Sequence, residues 1–399
     1  MIKLNIKASN SIMSDKQFKL SDLIPEFSKF RTIEDKKRIG CQTVDDSLFV
    51  LSKKGKKYFK PSNVFCPECN SHDVVKNGTY SRKLIFLIDG EQECIIKKYK
   101  CNKCGKIIYT DISSIVKGNS NITLPVIEHI KYLYSNFGTS LHKIRKSLKR
   151  EHEIEISHQS IENIILNSDY KTIHENWTYS GYYLFDSLWV KKNGKWKYLL
   201  ALFDLKLNTI VSRELADSES VKTVYRFLEK SLRNQKKNCI ITDLKPEYRV
   251  AINKLQIKQQ FCTFHLKQLI NREIHEYIKQ INPNEMEMEI IYNYKELFFN
   301  IINACSINEA KEKRNQLFYL KSNIPKVIHD LAEKLFIPEF KKITNHLNDP
   351  KITLTSNKIE NCFLKNFPKY IKRLYKTENG ILKRFDLKLK FWDEENAIL

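Results

Sequence analysis

The chain of 399 residues is 42% hydrophobic and 29% charged, with a formal net charge of +23. Those proportions exclude a disordered polymer and leave room for two or three domains with cores of their own. They also exclude a spanning segment: no apolar run approaches the roughly 18–20 residues a bilayer requires, and no signal-peptide core opens the sequence. The basic surplus calls for a polyanionic partner, nucleic acid or an anionic membrane surface, and without a membrane segment nucleic acid is the better reading. Of the ten cysteines, four form CxxC pairs, while Cys41, Cys94, Cys239, Cys262, Cys305 and Cys362 stand singly. Single cysteines in apolar settings fit a reducing, cytoplasmic location.

Residues 1–60 mix short apolar clusters, LSDLIPEF and SLFVL, with lysine-rich pieces. They read as a basic leader that ends in the arm Lys53 to Lys60, and a solvated tail fits them equally. Residues 61–112 read as a zinc ribbon. Cys66-Pro-Glu-Cys69 and Cys101-Asn-Lys-Cys104 each offer two thiolates, and two such knuckles close a tetrahedral structural site. The segments RKLIFLI and ECIIKKYK around Asp89-Gly90 read as a hairpin between them. Cys94 falls on one of its strands and need not be a ligand.

Residues 121–170 read as helical. Leu124, Ile127, Ile130 and Tyr134 keep helical spacing up to Gly138. A second helix starts at Ser140 with Leu141, Ile144 and Leu148 on one face. Ser157 caps a third, His158 to Asn167, with Ile161, Ile164 and Ile165 inward. Three such helices make a helix-turn-helix-like unit whose His158, Gln159, Ser160 and Asn163 face DNA, or a plain structural spacer.

From 178 the pattern turns to strands. YYLFDSLWVKK, the turn Asn193-Gly194, KWKYLLALFDLKLN and TIVSRELA give three antiparallel strands. A helix over 218–234 follows, then the strand NCIITDL, a further helix, and the strand QQFCTFH. The order β-β-β-α-β-α-β describes an α/β domain of the ribonuclease H-like class, with a helical insertion at about 266–350. Ser356 then caps a helix whose buried stripe is Ile359, Phe363 and Phe367.

Three carboxylates stand out. Asp186 interrupts an apolar strand, where an unpaired carboxylate costs several kcal/mol. Asp243 ends the fourth strand, and Glu360 sits beside the buried stripe of the last helix. Phosphodiester chemistry uses divalent ions held by a few carboxylates from separate parts of a chain, so these three are the candidate ligands and catalytic groups. Asp204, Glu378 and Glu394 compete from ordinary polar settings.

At these residues the sequence resembles the DDE transposases of the Mutator type and their prokaryotic insertion-sequence relatives. The likeness runs from Asp186 in LFDSLWV through Asp243 in TDLKPEY and Cys262-Thr-Phe-His265 to Glu360 in TSNKIEN. The ribbon and trihelical unit upstream resemble the end-recognition region of such enzymes; the first 60 residues lie outside the likeness. The resemblance implies Mg²⁺ or Mn²⁺ at Asp186, Asp243 and Glu360, strand cleavage by water, and strand transfer by the freed 3′-hydroxyl. It implies double-stranded DNA partners, namely terminal repeats and target, a homo-oligomer on DNA, and a nucleoid-associated place in the cytoplasm. For Cys262 and His265 two roles stay open, contact with the scissile phosphate or buttressing of the site. Residues 361–390 hold nine Lys or Arg against two acids, and Lys369, Lys372 and Arg373 are the phosphate-contact candidates there. A non-catalytic regulator descended from a transposase, and a nuclease acting on RNA, are the alternative readings.

Overall fold

The computed structural model describes residues 31–35, 39–45, 48–53, 56–167, 177–320, 324–368, 372–373 and 375–398. The chain divides into two compact units, one of Met1–Tyr134 with Gly138–Glu162 and the other of Ser135–Phe137 with Asn163–Leu399.

The first unit is built on strands β1 (Arg31–Asp35), β2 (Ile39–Asp45), β3 (Leu48–Lys53), β4 (Lys56–Pro61), β5 (Val74–Phe86), β6 (Gly90–Cys101) and β7 (Ile107–Tyr109). They form one sheet in the order β1-β2-β3-β4-β6-β5, with β7 also on β6. The expected hairpin is present, Phe86 pairing with Gly90, whose φ of +65° suits the turn. Within residues 1–60, read from sequence as a leader, the described residues from 31 on form strands β1 to β4 of this sheet, β4 ending at Pro61. β4 runs parallel to β6 opposite Cys94, Ile95 and Ile96, and β7 takes the same edge of β6 further on. The physical reason is alternation: Leu48, Val50 and Phe59 are buried with Leu84, Cys94 and Ile96, while Lys56 on the other face meets Glu93 at 2.8 Å; Lys57, on the face of Phe59, reaches over the Phe86 ring to Asp89 at 2.6 Å.

Helices α1 (Leu124–Asn136), α2 (Leu141–His152) and α3 (His158–Leu166) follow. The Ser157 hydroxyl accepts from the Ser160 amide, so the expected cap is made, and Ser140, at the expected start of the second helix, caps it by accepting from the Lys143 amide. Val126 and Ile130, Ile144 and Leu148, and Ile161 and Ile165 are the buried faces.

The second unit carries a five-stranded sheet of β8 (Tyr182–Lys192), β9 (Lys195–Asp204), β10 (Thr209–Ala216), β11 (Cys239–Thr242) and β12 (Lys258–Phe261), ordered β10-β9-β8-β11-β12. β8, β9 and β10 are antiparallel; β11 runs parallel to both β8 and β12. Three antiparallel strands joined to two parallel ones in this order make the ribonuclease H-like sheet. One face packs on α4 (Val221–Ser231) and α5 (Pro246–Lys254) through Tyr183, Phe185 and Phe227. The other packs on α11 (Asn357–Asn366) and α12 (Glu378–Asn396) through Leu184, Leu188, Val190, Ile359 and Phe363. Gly181 sets the register of β8 against β11: its carbonyl accepts from the Asn238 and Cys239 amides, and at φ +91° a Cβ there would lie 2.6 Å from the Asn238 side chain.

Between β12 and α11 lie α6 (Thr263–Ile281), α7 (Glu285–Ile302), α8 (Ile307–Asn315), α9 (Lys326–Leu331) and α10 (Phe340–Thr344), the expected helical insertion with its own core. QQFCTFH is not all strand. β12 stops at Phe261, Cys262 is the N-cap of α6, and His265 lies in that helix's first turn. No described helix is long and apolar enough to cross a membrane.

Candidate functional site

The two cysteine knuckles are built alike. Cys66 and Cys101 each accept from an amide four residues on, Asn70 at 2.8 Å and Gly105 at 2.9 Å, and both turn residues take positive φ. This folding brings Cys66 Sγ to 3.4 Å from Cys104 Sγ, and Cys69 Sγ to 3.6 Å from Cys101 Sγ. All four sulfurs lie within 4.8 Å of one another. Four thiolates around zinc at about 2.3 Å stand about 3.8 Å apart, so the set fits a closed tetrahedral ion with no open position. Burial alone would raise the Cys66 thiol, but the Cys69 and Glu68 amides and the neighbouring thiols bring it down to about 7. Cys94 is buried on β6, where desolvation pushes it up to about 11, and it is no member of the group.

The three sequence-predicted carboxylates come from β8, the end of β11, and α11. β8 and β11 pair in register from Cys239↔Tyr182 to Ile241↔Leu184; continued two residues, that register brings Asp243 level with Asp186. Asp186 is half-buried. Desolvation, then the charges of Asp243 and Glu360, raise its acid to about 7 against the Ser187 amide, which donates to Oδ1 at 2.7 Å. Asp243 is also raised by desolvation, while its Oδ1 accepts from the Lys245 amide at 3.1 Å. Among the described residues only the cysteines form a group of three or more ligand atoms within 4.8 Å; the carboxylates stay further apart, as like charges do. Their all-oxygen donor set, and a half-buried aspartate pushed towards neutrality by desolvation and by two acidic neighbours, fit a hard divalent cation.

Glu360 is aimed by a second structure. Ser356 stands at the N-cap position of α11, yet its hydroxyl accepts from no backbone amide. It donates to Glu360 Oε1 at 2.6 Å instead, beside Cys262 Sγ at 3.4 Å. The Thr263 amide and hydroxyl donate to the Leu354 carbonyl at 2.9 and 3.1 Å, tying the start of α6 to the loop before α11. His265 Nε2 thereby reaches 3.9 Å from Glu360 Oε1. Hydrogen bonding with Cys262, then the charges of Cys262, Glu360 and Asp243, raise His265 to about 9, which favours the imidazolium. Cys262 and His265 therefore belong to the carboxylate cluster, although Nδ1 of His265 is buried without a hydrogen bond of good geometry.

Sequence reasoning missed a network beside Asp186. Glu219, just before α4, accepts from Ser187 Oγ at 2.5 Å, from Lys245 Nζ at 2.8 and 3.0 Å, and from the Tyr248 hydroxyl. Lys245 Nζ stands 3.8 Å from Asp243 Oδ2. Burial would raise Glu219, but these donors hold it below the ordinary carboxylate range. The available signal was Ser187 beside Asp186 and Lys245 and Tyr248 after Asp243; nothing in the sequence tied Glu219 to them.

The competing acids have fold roles. Asp204 is buried and accepts from the Ser180, Lys206 and Leu207 amides at 2.7–3.0 Å. Glu378 pairs with Lys192 at 3.1 Å and Glu394 with Lys390 at 3.7 Å. His158, Gln159 and Asn163 are exposed on α3. Lys372 and Arg373 lie in the stretch alongside β8, and Lys369 falls outside the described residues. The basic run 361–390 is not all surface: Lys388 is buried, which lowers it to about 8, and Asp386 is buried against Arg213.

No family model matches the chain. A protein of Methanobrevibacter smithii described as "Insertion element ISM1 uncharacterized 48.3 kDa protein" is 31% identical over 397 residues, 99% of each chain. Among solved structures, the magnesium-bound catalytic core domain of HTLV-2 integrase is 14% identical over 32% of this chain and 88% of its own, at a TM-score of 0.19. The simian T-cell lymphotropic virus intasome with PP2A regulatory subunit B56 gamma is 14% identical over 39% of this chain and 61% of that one, at 0.20. At those scores the structural likenesses carry no argument about this chain.

Proposed function

This chain belongs to the family of insertion-element proteins, and we propose that it is the DDE transposase of its element, cutting DNA strands and joining freed 3′-hydroxyls to target DNA. The observation that supports the reading is the register of β8 and β11, which brings Asp243 level with Asp186, with Glu360 on α11 packed against the sheet face that Asp186 shares with Leu184 and Leu188. Together they would hold Mg²⁺ or Mn²⁺, which when bound polarises the scissile phosphate and lowers the pKa of the attacking hydroxyl. The chain's own contribution is placement. Ser356 orients Glu360, Glu219 holds Lys245 beside Asp243, and the His265 imidazolium presents positive charge towards an approaching phosphate.

The four thiols hold a structural zinc that fastens the ribbon. His158, Gln159 and Asn163 on α3 contact double-stranded DNA at the element's ends, and Lys369, Lys372 and Arg373 contact phosphates, with paired ends engaging a homo-oligomer. The test is nicking and strand transfer with Mg²⁺ or Mn²⁺ on duplexes carrying the element's terminal repeats. Activity equal to wild type in Asp186→Asn or Glu360→Gln would overturn the assignment. Tight duplex binding without cleavage in any metal would leave a non-catalytic binder, and preferential cleavage of RNA would change the substrate.

A further inference from the structure

The tip of the β8–β9 hairpin carries an aromatic cluster that the chemistry at the carboxylates does not use. Side chains alternate along a strand, so Trp189 projects from the face opposite Asp186, three residues and about 10 Å further along β8. Trp189 lies directly across from Tyr198, with ring centroids 5.5 Å apart, and 6.0 Å from the Trp196 ring. Both tryptophans remain open, Trp189 at 50% and Trp196 at 43% exposure. Cross-strand aromatic pairs do stabilise a hairpin, yet that role is served by rings packed on each other and needs no open faces. Two cations converge on the same rings: Lys191 Nζ sits 4.7 Å from the Trp196 centroid and the Arg373 guanidinium 6.0 Å from it. Arg373 is brought there because Lys191 and Asn193 donate backbone hydrogen bonds to the Lys372 and Tyr375 carbonyls at 2.7 and 2.9 Å.

We propose that this face of Trp189, Trp196 and Tyr198, flanked by Lys191 and Arg373, is a binding site for unpaired nucleotides of DNA. Open aromatic faces stack on bases of any sequence, and the cations beside them meet the phosphates that link those bases. A duplex offers only stacked, paired bases, so it cannot use the rings; the site selects single strand over double strand. The choice of DNA rests on the transposase reading, whereas the stacking does not.

The experiment uses the full-length, zinc-loaded protein in buffer without Mg²⁺ or Mn²⁺, so that nothing is cut. Anisotropy of a labelled single-stranded oligonucleotide, and of the blunt duplex of the same sequence, is read for wild type, Trp189→Ala, Trp196→Ala, the double variant and Trp189→Phe. Single-strand affinity is expected to fall about tenfold for each tryptophan removed, with duplex affinity within twofold and Trp189→Phe near wild type. Melting curves, and Trp189→Phe as the conservative control, separate loss of the rings from loss of the hairpin. Unchanged single-strand affinity in the double variant overturns the proposal, as does an equal loss on both substrates. A double variant that loses self-association in sedimentation while keeping single-strand binding assigns the face to a second copy of the chain, and also overturns it. Single-strand binding through the tryptophans by a protein that never nicks DNA sinks the catalytic reading alone.

Discussion

The cysteine knuckles and the carboxylate cluster are both sets of metal-type ligands, but the fold finishes only one of them. The four sulfurs already stand within 4.8 Å of one another, because thiols share protons and tolerate contact. The carboxylates hold back from that spacing while burial and their neighbours raise Asp186 and desolvation raises Asp243. The difference separates a closed site, whose ion completes the fold, from an open one, whose ions complete the chemistry. Loss of metal should therefore unfold part of the first unit and leave the second folded but inert.

The sharpest way to break that contrast is Cys101→Ser. Zinc content should fall to near zero and residues 56–134 should become protease-sensitive, since structural zinc contributes about 10 kcal/mol to such modules. Atomic spectroscopy showing unchanged zinc would refute it. Next is Asp186→Asn, expected to lower nicking by about 10³-fold, roughly 4 kcal/mol of barrier, without lowering the melting temperature of the zinc-loaded protein in buffer free of Mg²⁺ and Mn²⁺. A matched loss of melting temperature would show the residue to be structural. Within the second unit, Asp386→Ala should cost about 3–5 kcal/mol in denaturant titration, because it leaves Arg213 without its buried partner; a change below 1 kcal/mol would show that helix α12 does not depend on the pair.

A pH series sharpens the comparison further. The Asp186 acid lies near 7 in the fold and near 4 in the unfolded chain. Between those values the folded state keeps a proton that the unfolded state has released, so metal-free stability falls as pH climbs through that window and levels off above it. Asp186→Asn should flatten that slope; a slope identical to wild type would place the titration elsewhere. The smallest effect is expected from Ser356→Ala, which removes the donor to Glu360: a several-fold higher Mg²⁺ requirement for nicking, about 1 kcal/mol, with zinc unaffected. An unchanged Mg²⁺ titration would leave Ser356 no part in the site.

Much of this was readable from the chain itself. The strand order, the Asn193-Gly194 turn and the positions of Asp186 and Asp243 follow from alternation and turn chemistry, which are local. Three features were hidden for reasons that are not local. Lys53 to Lys60 looks like a tail because its charges dominate, yet Phe59 is fully buried where β4 pairs with β3 and β6. Ser356 sits where a cap belongs, but a nearby carboxylate is a stronger acceptor for its hydroxyl than water. Glu219 joins the site only through Ser187, Lys245 and Tyr248, contacts between segments up to 32 residues apart that no spacing announces.

One feature of the hairpin bears on how force reaches the reaction centre. Past Leu184 strand β8 has lost β11 as a neighbour, and its far end is held by the backbone carbonyls of Lys372 and Tyr375. A strand is stiff along its length, and only four residues lie between Lys191, where that anchorage begins, and Asp186. Any pull exerted on Arg373 by a nucleic acid is thus delivered as tension along the same rod that bears the first carboxylate, making the tip a handle on the catalytic strand.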